Sequence, residues 1–202
     1  MILYDSKHAP NPRRVRVFLA EKGIEVPLQQ VDIASRESRA PAFLGKNPLG
    51  AVPVLELDDG TCISESVAIC RYFEELQPEP PLFGTDARDR ALVEMWNRRM
   101  EFELFRNVSG TFQHTREFFK GRIEQLPAWG EVCRKTARLR LAWLDGELAG
   151  RRFVAGDRYT IADITALCAI GFGRVVEIHI APEQKHLARW YESVSSRPSA
   201  AA

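Results

Sequence analysis

Long apolar runs are missing from this chain of 202 residues. No stretch approaches the roughly 18 consecutive apolar residues that span a bilayer, so we expect no membrane segment. The first residues, MILYDSKHAP, lack the charged start and long apolar core of a signal peptide and instead predict a strand. Internal repeats and low-complexity tracts are also absent. The length allows one large domain or two small ones.

An excess of charge of one sign is missing as well. The 28 Lys and Arg residues nearly cancel the 27 Asp and Glu residues and leave a formal net charge of +1. Binding to a phosphate backbone or to an anionic membrane depends on a strong positive field, which this composition does not supply. We therefore expect neither a nucleic acid nor a membrane as partner.

Cysteine is scarce, and the four cysteines are Cys62, Cys70, Cys133 and Cys168. None of them form a CxxC pair, and none have a zinc-like spacing to the four histidines, so we expect no metal site. Their low density in a chain of this length argues against a disulfide framework. Reduced structural thiols in a cytoplasmic protein are the simpler interpretation.

In the first half of the chain, the sequence predicts a first helix with clear signals at both ends. Asn11 is a favoured N-cap residue and Pro12 is tolerated at the first helical position, while Gly23 is typical of a C-terminal cap. One buried face recurs at helical spacing and comprises Val15, Phe18 and Leu19. Short apolar runs predict four strands, two of them joined by an Asp-Asp-Gly hairpin turn, and a second long helix. These elements are Met1–Asp5, Val26–Ile33, Val52–Leu57, Thr61–Ser64 and the helix from Glu65 to Leu76.

The second half differs in its periodicity. Gln77–Phe83 carries three prolines in seven residues, which cannot continue a helix, and we interpret this segment as an interdomain linker. Beyond it the pattern predicts only helices, over residues 86–119, 128–149, 160–178 and 183–196. Thr160–Asp163 forms a capping-box variant with Asp at the fourth position.

Four motifs in this order resemble the cytosolic glutathione transferase family, and within it the bacterial theta- and nu-like members. The motifs are Ala9–Val15, Asn47–Leu55, Glu65–Ile69 and the pair Phe153–Gly156 with Thr160–Asp163. The resemblance covers nearly the whole chain. It implies a thioredoxin-like α/β domain over residues 1–82 that binds glutathione, and an all-α helical-bundle domain over residues 83–202.

The resemblance also implies where glutathione binds. A cis bond between Val52 and Pro53 would turn the Val52 backbone outward, so that it pairs with the cysteinyl part of glutathione as an added strand. The alternative is that Pro53 only begins a strand and that no ligand binds there. At the start of the next helix, Ser66 suits the α-carboxylate of the γ-glutamyl group and Glu65 suits its ammonium, although an ordinary helix cap has the same composition.

The thiol site departs from the family pattern. Theta-like relatives place a serine at the position of Ala9, and nu-like relatives use a Thr-Pro-Asn run, of which Asn11 survives here. Asn11 is therefore the expected catalytic residue, with Ser6 as a weaker second candidate and a capping role alone as the alternative. Lowering a thiol pKa from about 8.5 to about 6.5 needs roughly 2.7 kcal/mol. A helix N-terminus supplies roughly 0.3–1 kcal/mol, and a hydrogen bond to a charged group adds roughly 1.5–3 kcal/mol.

Other expectations concern the rest of the ligand site. Relatives often carry a basic residue before the Val-Pro pair, where this chain has Ala51, so Arg39 or Lys46 is expected to bind the glycyl carboxylate unless solvent does.

The second substrate is expected between the domains, and the candidates by position are Met100, Phe102, Phe105 and His114. The run Glu101–Phe105 has a partner subunit as an alternative contact. We interpret the four tryptophans as packing residues, and they are Trp96, Trp129, Trp143 and Trp190.

Together these features predict a glutathione transferase, which activates glutathione as a co-substrate and adds it to a hydrophobic electrophile in detoxification, or exchanges it with a disulfide. A non-catalytic glutathione-binding or scaffold protein stays open because Ala9 removes the usual hydroxyl. A glutathione-dependent isomerase is the third reading, although the Ser-Ser-Cys run of zeta-like members is missing. The resemblance further implies a homodimer with the sites near the subunit boundary.

Overall fold

The computed structural model describes all 202 residues. The chain divides into two units, one comprising Met1–Pro81 with Ala201–Ala202 and the other Leu82–Ala200. None of its helices is both long enough and apolar enough to cross a membrane.

The first unit is built on a four-stranded sheet with the order β2-β1-β3-β4. β1 and β2 are parallel, whereas β1 with β3 and β3 with β4 are antiparallel. Leu3, Val54 and Leu55 are fully buried in it. The strands are β1 (Ile2–Asp5), β2 (Leu28–Gln30), β3 (Val54–Glu56) and β4 (Cys62–Ser64). All four predicted strands are confirmed, although β2 is shorter than expected, and the flanking residues Pro27 and Val31 each keep one backbone hydrogen bond to β1.

Three helices accompany the sheet, with a 3-10 turn at Glu37–Arg39. The apolar face predicted for the first helix is buried, and Gly23 ends that helix in the left-handed conformation with φ 65°. The helices are α1 (Pro10–Lys22), α2 (Pro41–Leu44) and α3 (Ser66–Leu76). This arrangement confirms the thioredoxin-like α/β class that the resemblance implies.

The predicted cap of α1 is wrong. The N-cap residue is Ala9, no side chain caps the helix, and Pro10 occupies the first helical position. The helix therefore starts two residues earlier than predicted, and Asn11 lies inside its first turn. The physical reason is that Pro10 suits the first position as well as Pro12 does, since both have a fixed φ and no N–H that needs a partner.

A buried lysine holds the proline-rich segment after α3. Lys22 Nζ donates to the carbonyl oxygens of Gln77 at 2.8 Å, Pro78 at 3.1 Å and Pro80 at 2.6 Å. It also pairs with the Glu74 carboxylate at 2.6 Å. The segment that we predicted to be irregular is thus fixed by hydrogen bonds to one ammonium group rather than by regular secondary structure.

The second unit is helical, as predicted. Its helices are α4 (Ala87–Arg99), α5 (Arg106–Thr115), α6 (Pro127–Glu147), α7 (Ile161–Gly173) and α8 (Lys185–Ser195). A π-helical turn, Met100–Phe105, joins α4 to α5 and was not predicted, because the residues continue an ordinary helical pattern. Trp96 and Trp143 stack with ring centroids 5.6 Å apart, and Trp190 is buried. The packing role predicted for Trp129 is wrong, because this residue is 53% exposed.

The capping box at the start of α7 is confirmed. The Asp163 carboxylate accepts hydrogen bonds from the Thr160 N–H and hydroxyl, and the Thr160 side chain in turn caps the Asp163 backbone. The same carboxylate also accepts from the Val154 N–H at 2.9 Å and from Trp190 Nε1 at 2.8 Å. Asp163 therefore joins the loop before α7 to the last long helix of the unit.

Candidate active site

Three segments of the first unit meet at one end of the sheet. They follow the end of β1, precede the start of β3 and follow the end of β4. The antiparallel register sets Tyr4 opposite Val54, and Val54 opposite Ser64. The ends of β1 and β4 consequently lie beside the start of β3. The segments that carry the predicted site residues therefore meet at this end of the sheet. These residues are Asn11, Val52, Pro53, Glu65 and Ser66.

The first turn of α1 has few backbone N–H donors, and only that of Asn11 has no acceptor within the protein. Pro10 and Pro12 have no N–H, and the Arg13 N–H bonds the Ala9 carbonyl at 3.2 Å. The unused amide at this end of the helix therefore belongs to Asn11, whose side chain is exposed and makes no cap. Ser6, the second candidate, precedes the helix, and its carbonyl accepts from the Ala9 N–H.

The Val52 segment presents main-chain groups that the sheet does not use. The peptide bond between Val52 and Pro53 is cis, as the resemblance implies, and regular pairing of β3 begins only at Val54. No backbone hydrogen bond engages the N–H or C=O of Val52. Asn47, which is buried, braces the loop before it through a bond from Nδ2 to the Ala51 carbonyl at 2.8 Å. The result is a short, fixed stretch of unpaired backbone.

The start of α3 combines free donors with an unusual backbone conformation. Glu65, the N-cap residue, has φ 69° and ψ 115°, a sparsely populated conformation that costs a non-glycine residue about 1–3 kcal/mol. Its carboxylate is exposed and forms no ion pair. Ser66, by contrast, is buried at the first helical position, where backbone N–H groups have no helical acceptor. An anion and a cation can therefore both find partners within two residues.

Sequence reasoning missed one residue at this edge. Arg14 of α1 is 1% exposed, and its Nη1 donates to Ser66 Oγ at 2.7 Å. A charged side chain in the apolar middle of the α1 pattern was the available signal, since such residues are almost never fully buried without a polar partner. The bond joins the second turn of α1 to the first turn of α3 directly.

The two basic candidates for the glycyl carboxylate have different surroundings. Lys46 pairs with Glu56 at 2.6 Å, and the same carboxylate accepts from the Tyr4 hydroxyl at 2.6 Å. The Lys46 ammonium holds the pKa of the Glu56 carboxyl below its ordinary value, so this lysine already has its counterion. Arg39 forms no ion pair and lies against Gly50, where an added Cβ would come within 3.0 Å of its Cδ and Nη1. The guanidinium group thus lies just before the Val52 segment.

The candidates for the second substrate lie in the helical unit and differ in exposure. Met100 and Phe105 are buried, whereas Phe102 is 52% exposed. The fourth candidate, His114, accepts a hydrogen bond at Nδ1 from the backbone N–H of Leu126 at 3.1 Å. Packing within the unit therefore accounts for Met100 and Phe105, and a structural bond accounts for one nitrogen of His114.

Comparisons with known proteins connect this geometry to a family. Residues 8–76 match the family model described as glutathione S-transferase, N-terminal domain, and residues 112–198 match the corresponding C-terminal domain. Glutathione S-transferase 2 of Saccharomyces cerevisiae is 37% identical over 98% of this chain and 87% of its own length.

Solved structures agree with the sequence matches. A glutathione S-transferase domain-containing protein from Marinobacter aquaeolei VT8 has 40% identity and a TM-score of 0.95, covering 98% of this chain and 99% of the other. Gtt2 from Saccharomyces cerevisiae has 37% identity and a TM-score of 0.94, covering 98% of both chains. The resemblance inferred from the four motifs is confirmed, and the chain belongs to the glutathione S-transferase family.

Proposed function

We propose that this protein binds glutathione at this end of the sheet, stabilises its thiolate and transfers the glutathionyl group to an electrophilic small molecule. The single observation that supports this most is the convergence of unused donors and acceptors from three segments, at Asn11, Val52 and Glu65–Ser66, within the first unit. A γ-glutamyl tripeptide has a thiol, a peptide backbone and an amino acid end, and each matches one of these three segments.

In the proposed arrangement, glutathione lies as an extra strand along the Val52 segment. Its cysteinyl N–H and C=O pair with the Val52 backbone, while Pro53 begins the strand behind it. The γ-glutamyl carboxylate binds at Ser66 and the free donors of α3, and the γ-glutamyl ammonium binds the Glu65 carboxylate. Arg39, rather than Lys46, binds the glycyl carboxylate, because Lys46 is already paired with Glu56.

The thiolate is proposed to lie at the first turn of α1. The helix dipole alone supplies roughly 0.3–1 kcal/mol, less than the roughly 2.7 kcal/mol needed for a drop of two pKa units. The backbone N–H and side-chain amide of Asn11 add hydrogen bonds worth roughly 1.5–3 kcal/mol each to a charged acceptor. Because prolines at positions 10 and 12 contribute no donors, Asn11 carries this stabilisation without help from its neighbours.

The reaction then needs little further chemistry from the protein. The glutathione thiol loses its proton to solvent, and the thiolate attacks an electrophilic carbon, forming a C–S bond while the leaving group departs or a neighbouring atom takes the electron pair. The same thiolate can instead attack a disulfide sulfur, giving a mixed disulfide and releasing a thiolate. No metal takes part in either route. We propose the cytoplasm as the site of action, where such thiols stay reduced.

The test is the ultraviolet absorbance of the glutathione thiolate in the presence of the protein, followed as a function of pH. We expect the bound thiol to titrate near pH 6.5, about two units below the free thiol. Binding without a change in pKa would contradict transferase activity and favour the non-catalytic carrier or scaffold that Ala9 leaves open. Absence of binding would remove glutathione from the proposal altogether.

A further inference from the structure

Arg14 is buried where the proposed carboxylate site begins, and no step of the proposed reaction uses it. Its side chain is 1% exposed, although it lies only three residues after Asn11 in α1. Nη1 donates to Ser66 Oγ at 2.7 Å, and Ser66 itself is 5% exposed. The two residues are 52 positions apart in sequence, so this contact joins two separate helices near their N-terminal ends.

The bond constrains the Ser66 hydroxyl. A hydroxyl has one donor hydrogen and two acceptor lone pairs, and Ser66 Oγ uses a lone pair on the arginine, which has only donors. The hydroxyl hydrogen must then point away from the guanidinium. The Ser66 hydroxyl donates to no group of the protein, so its hydrogen is available to an acceptor at the start of α3.

The charge of Arg14 acts in the same direction. A guanidinium stays protonated in proteins, so it places a full positive charge next to the helix end that already carries a partial one. Burial keeps this charge poorly screened by solvent. A carboxylate bound by Ser66 would meet a hydroxyl that is both oriented and polarised by a cation behind it.

We propose that Arg14 is a positioning residue, which orients the Ser66 hydroxyl toward the α-carboxylate of a γ-glutamyl ligand and so makes that carboxylate contribute to the affinity. This inference depends on the proposed function, because it names the part of glutathione that the site selects. It also gives α1 two roles: its exposed Asn11 serves the thiol, and its buried Arg14 serves the opposite end of the ligand through Ser66.

The experiment compares two peptides by calorimetry. One is glutathione, and the other is 4-aminobutyryl-cysteinyl-glycine, which lacks only the α-carboxyl of the γ-glutamyl group. Arg14→Met should weaken glutathione binding about tenfold or more and leave binding of the analogue within about twofold. Arg14→Lys, which keeps the charge and one donor direction, should restore part of the loss. Arg13→Met removes an equal charge from the preceding residue and should leave both affinities unchanged.

A double-mutant cycle with Ser66→Ala tests whether the two residues act as a unit. We expect the losses of Arg14→Met and Ser66→Ala not to add, because each removes the same oriented hydroxyl. Equal weakening of both peptides by Arg14→Met, or additive losses, would indicate general damage to the fold and overturn the inference. Equal losses in Arg13→Met and Arg14→Met would reduce the effect to net charge and also overturn it.

Wild-type protein provides a measurement that does not depend on a variant folding. In protein labelled with 15N at arginine, a buried guanidinium gives slowly exchanging side-chain resonances, and these should shift with glutathione but not with the analogue. Unchanged resonances would contradict the inference. If wild type binds neither peptide, the proposed function fails together with the inference; if wild type binds glutathione and Arg14→Met binds it equally well, only the inference fails.

Discussion

Asn11 lies at a position where function and stability can be separated. Its side chain is exposed and does not cap α1, so Asn11→Ala should leave the free energy of unfolding within about 0.5 kcal/mol of wild type. Turnover at neutral pH should fall about tenfold or more, because one charge-assisted hydrogen bond to the thiolate is lost, while glutathione affinity changes less. Steady-state kinetics and urea unfolding on the same preparation measure both quantities.

Ser6→Ala is the matched control for Asn11. Ser6 is the other hydroxyl or amide side chain beside the start of α1, and its loss should leave turnover unchanged. If Ser6→Ala lowered turnover and Asn11→Ala did not, the thiolate contact would belong to the serine, and α1 would contribute only its dipole.

The individual site residues show what a sequence can and cannot predict. Val52, Glu65 and Ser66 were selected from motifs, and the sheet register brings their segments together because strand ends and helix starts are local properties of the chain. Arg14 was not selected, because its only visible signal was an arginine in an apolar pattern. The hydrogen bond from Arg14 to Ser66 depends on the packing of α1 against α3, and a local sequence pattern carries no information about that packing.

Among the structural elements, the proline-rich segment after α3 depends on one ammonium group. Lys22→Met removes the ion pair to Glu74 and the donor to three carbonyl groups, and it leaves the Glu74 carboxylate buried. We expect a loss of about 3–5 kcal/mol in the free energy of unfolding, measured by urea titration. The double variant Lys22→Met/Glu74→Leu should recover much of it, because the three carbonyls belong to exposed residues that water can reach. Equal losses in both variants would contradict the ion-pair argument.

The start of α7 should give the protein a measurable dependence on pH. Burial raises the pKa of Asp163 to about 6, although four hydrogen bonds favour its charged form. An Asp in the unfolded chain has a pKa of about 3.9, so between these two pKa values the folded state binds the proton more tightly than the unfolded state does. Stability relative to Asp163→Asn should therefore increase by about 1 kcal/mol as the pH falls from 7 to 5. A decrease over the same range, measured by urea unfolding at each pH, would show that the four donors outweigh burial.

Helix and strand order could be predicted almost completely, but their ends and irregularities could not. The apolar spacing of α1 and the capping box of α7 are encoded within a few residues, and both were confirmed. The start of α1 was misplaced because two prolines compete for the same position. The π-helical turn at Met100–Phe105 has no local signature, since it changes the hydrogen-bond pattern and not the hydrophobic one.

At the scale of the whole molecule, an exposed apolar stripe on α4 and the π-helical turn bears on assembly. Leu92 and Met95 of α4 and Phe102 of the π-helical turn are 40%, 36% and 52% exposed, at spacings that follow one side of the helix. Exposed apolar residues that form a stripe commonly mark an interface, whereas single ones do not. This stripe overlaps the run Glu101–Phe105, for which a partner subunit was an expected contact.

We therefore expect the protein to sediment as a homodimer, at twice the chain mass of 22.9 kDa, at micromolar concentration. Phe102→Glu should raise the dimer dissociation constant about tenfold or more, because a charge would replace an aromatic side chain in the contact. Leu139→Glu tests a second exposed apolar row, which Leu139 of α6 (67% exposed) forms with Trp129 and Val132, and it should leave the dimer dissociation constant unchanged. A wild-type monomer would rule out the dimer. A dimer weakened by Leu139→Glu instead would move the interface from α4 to α6.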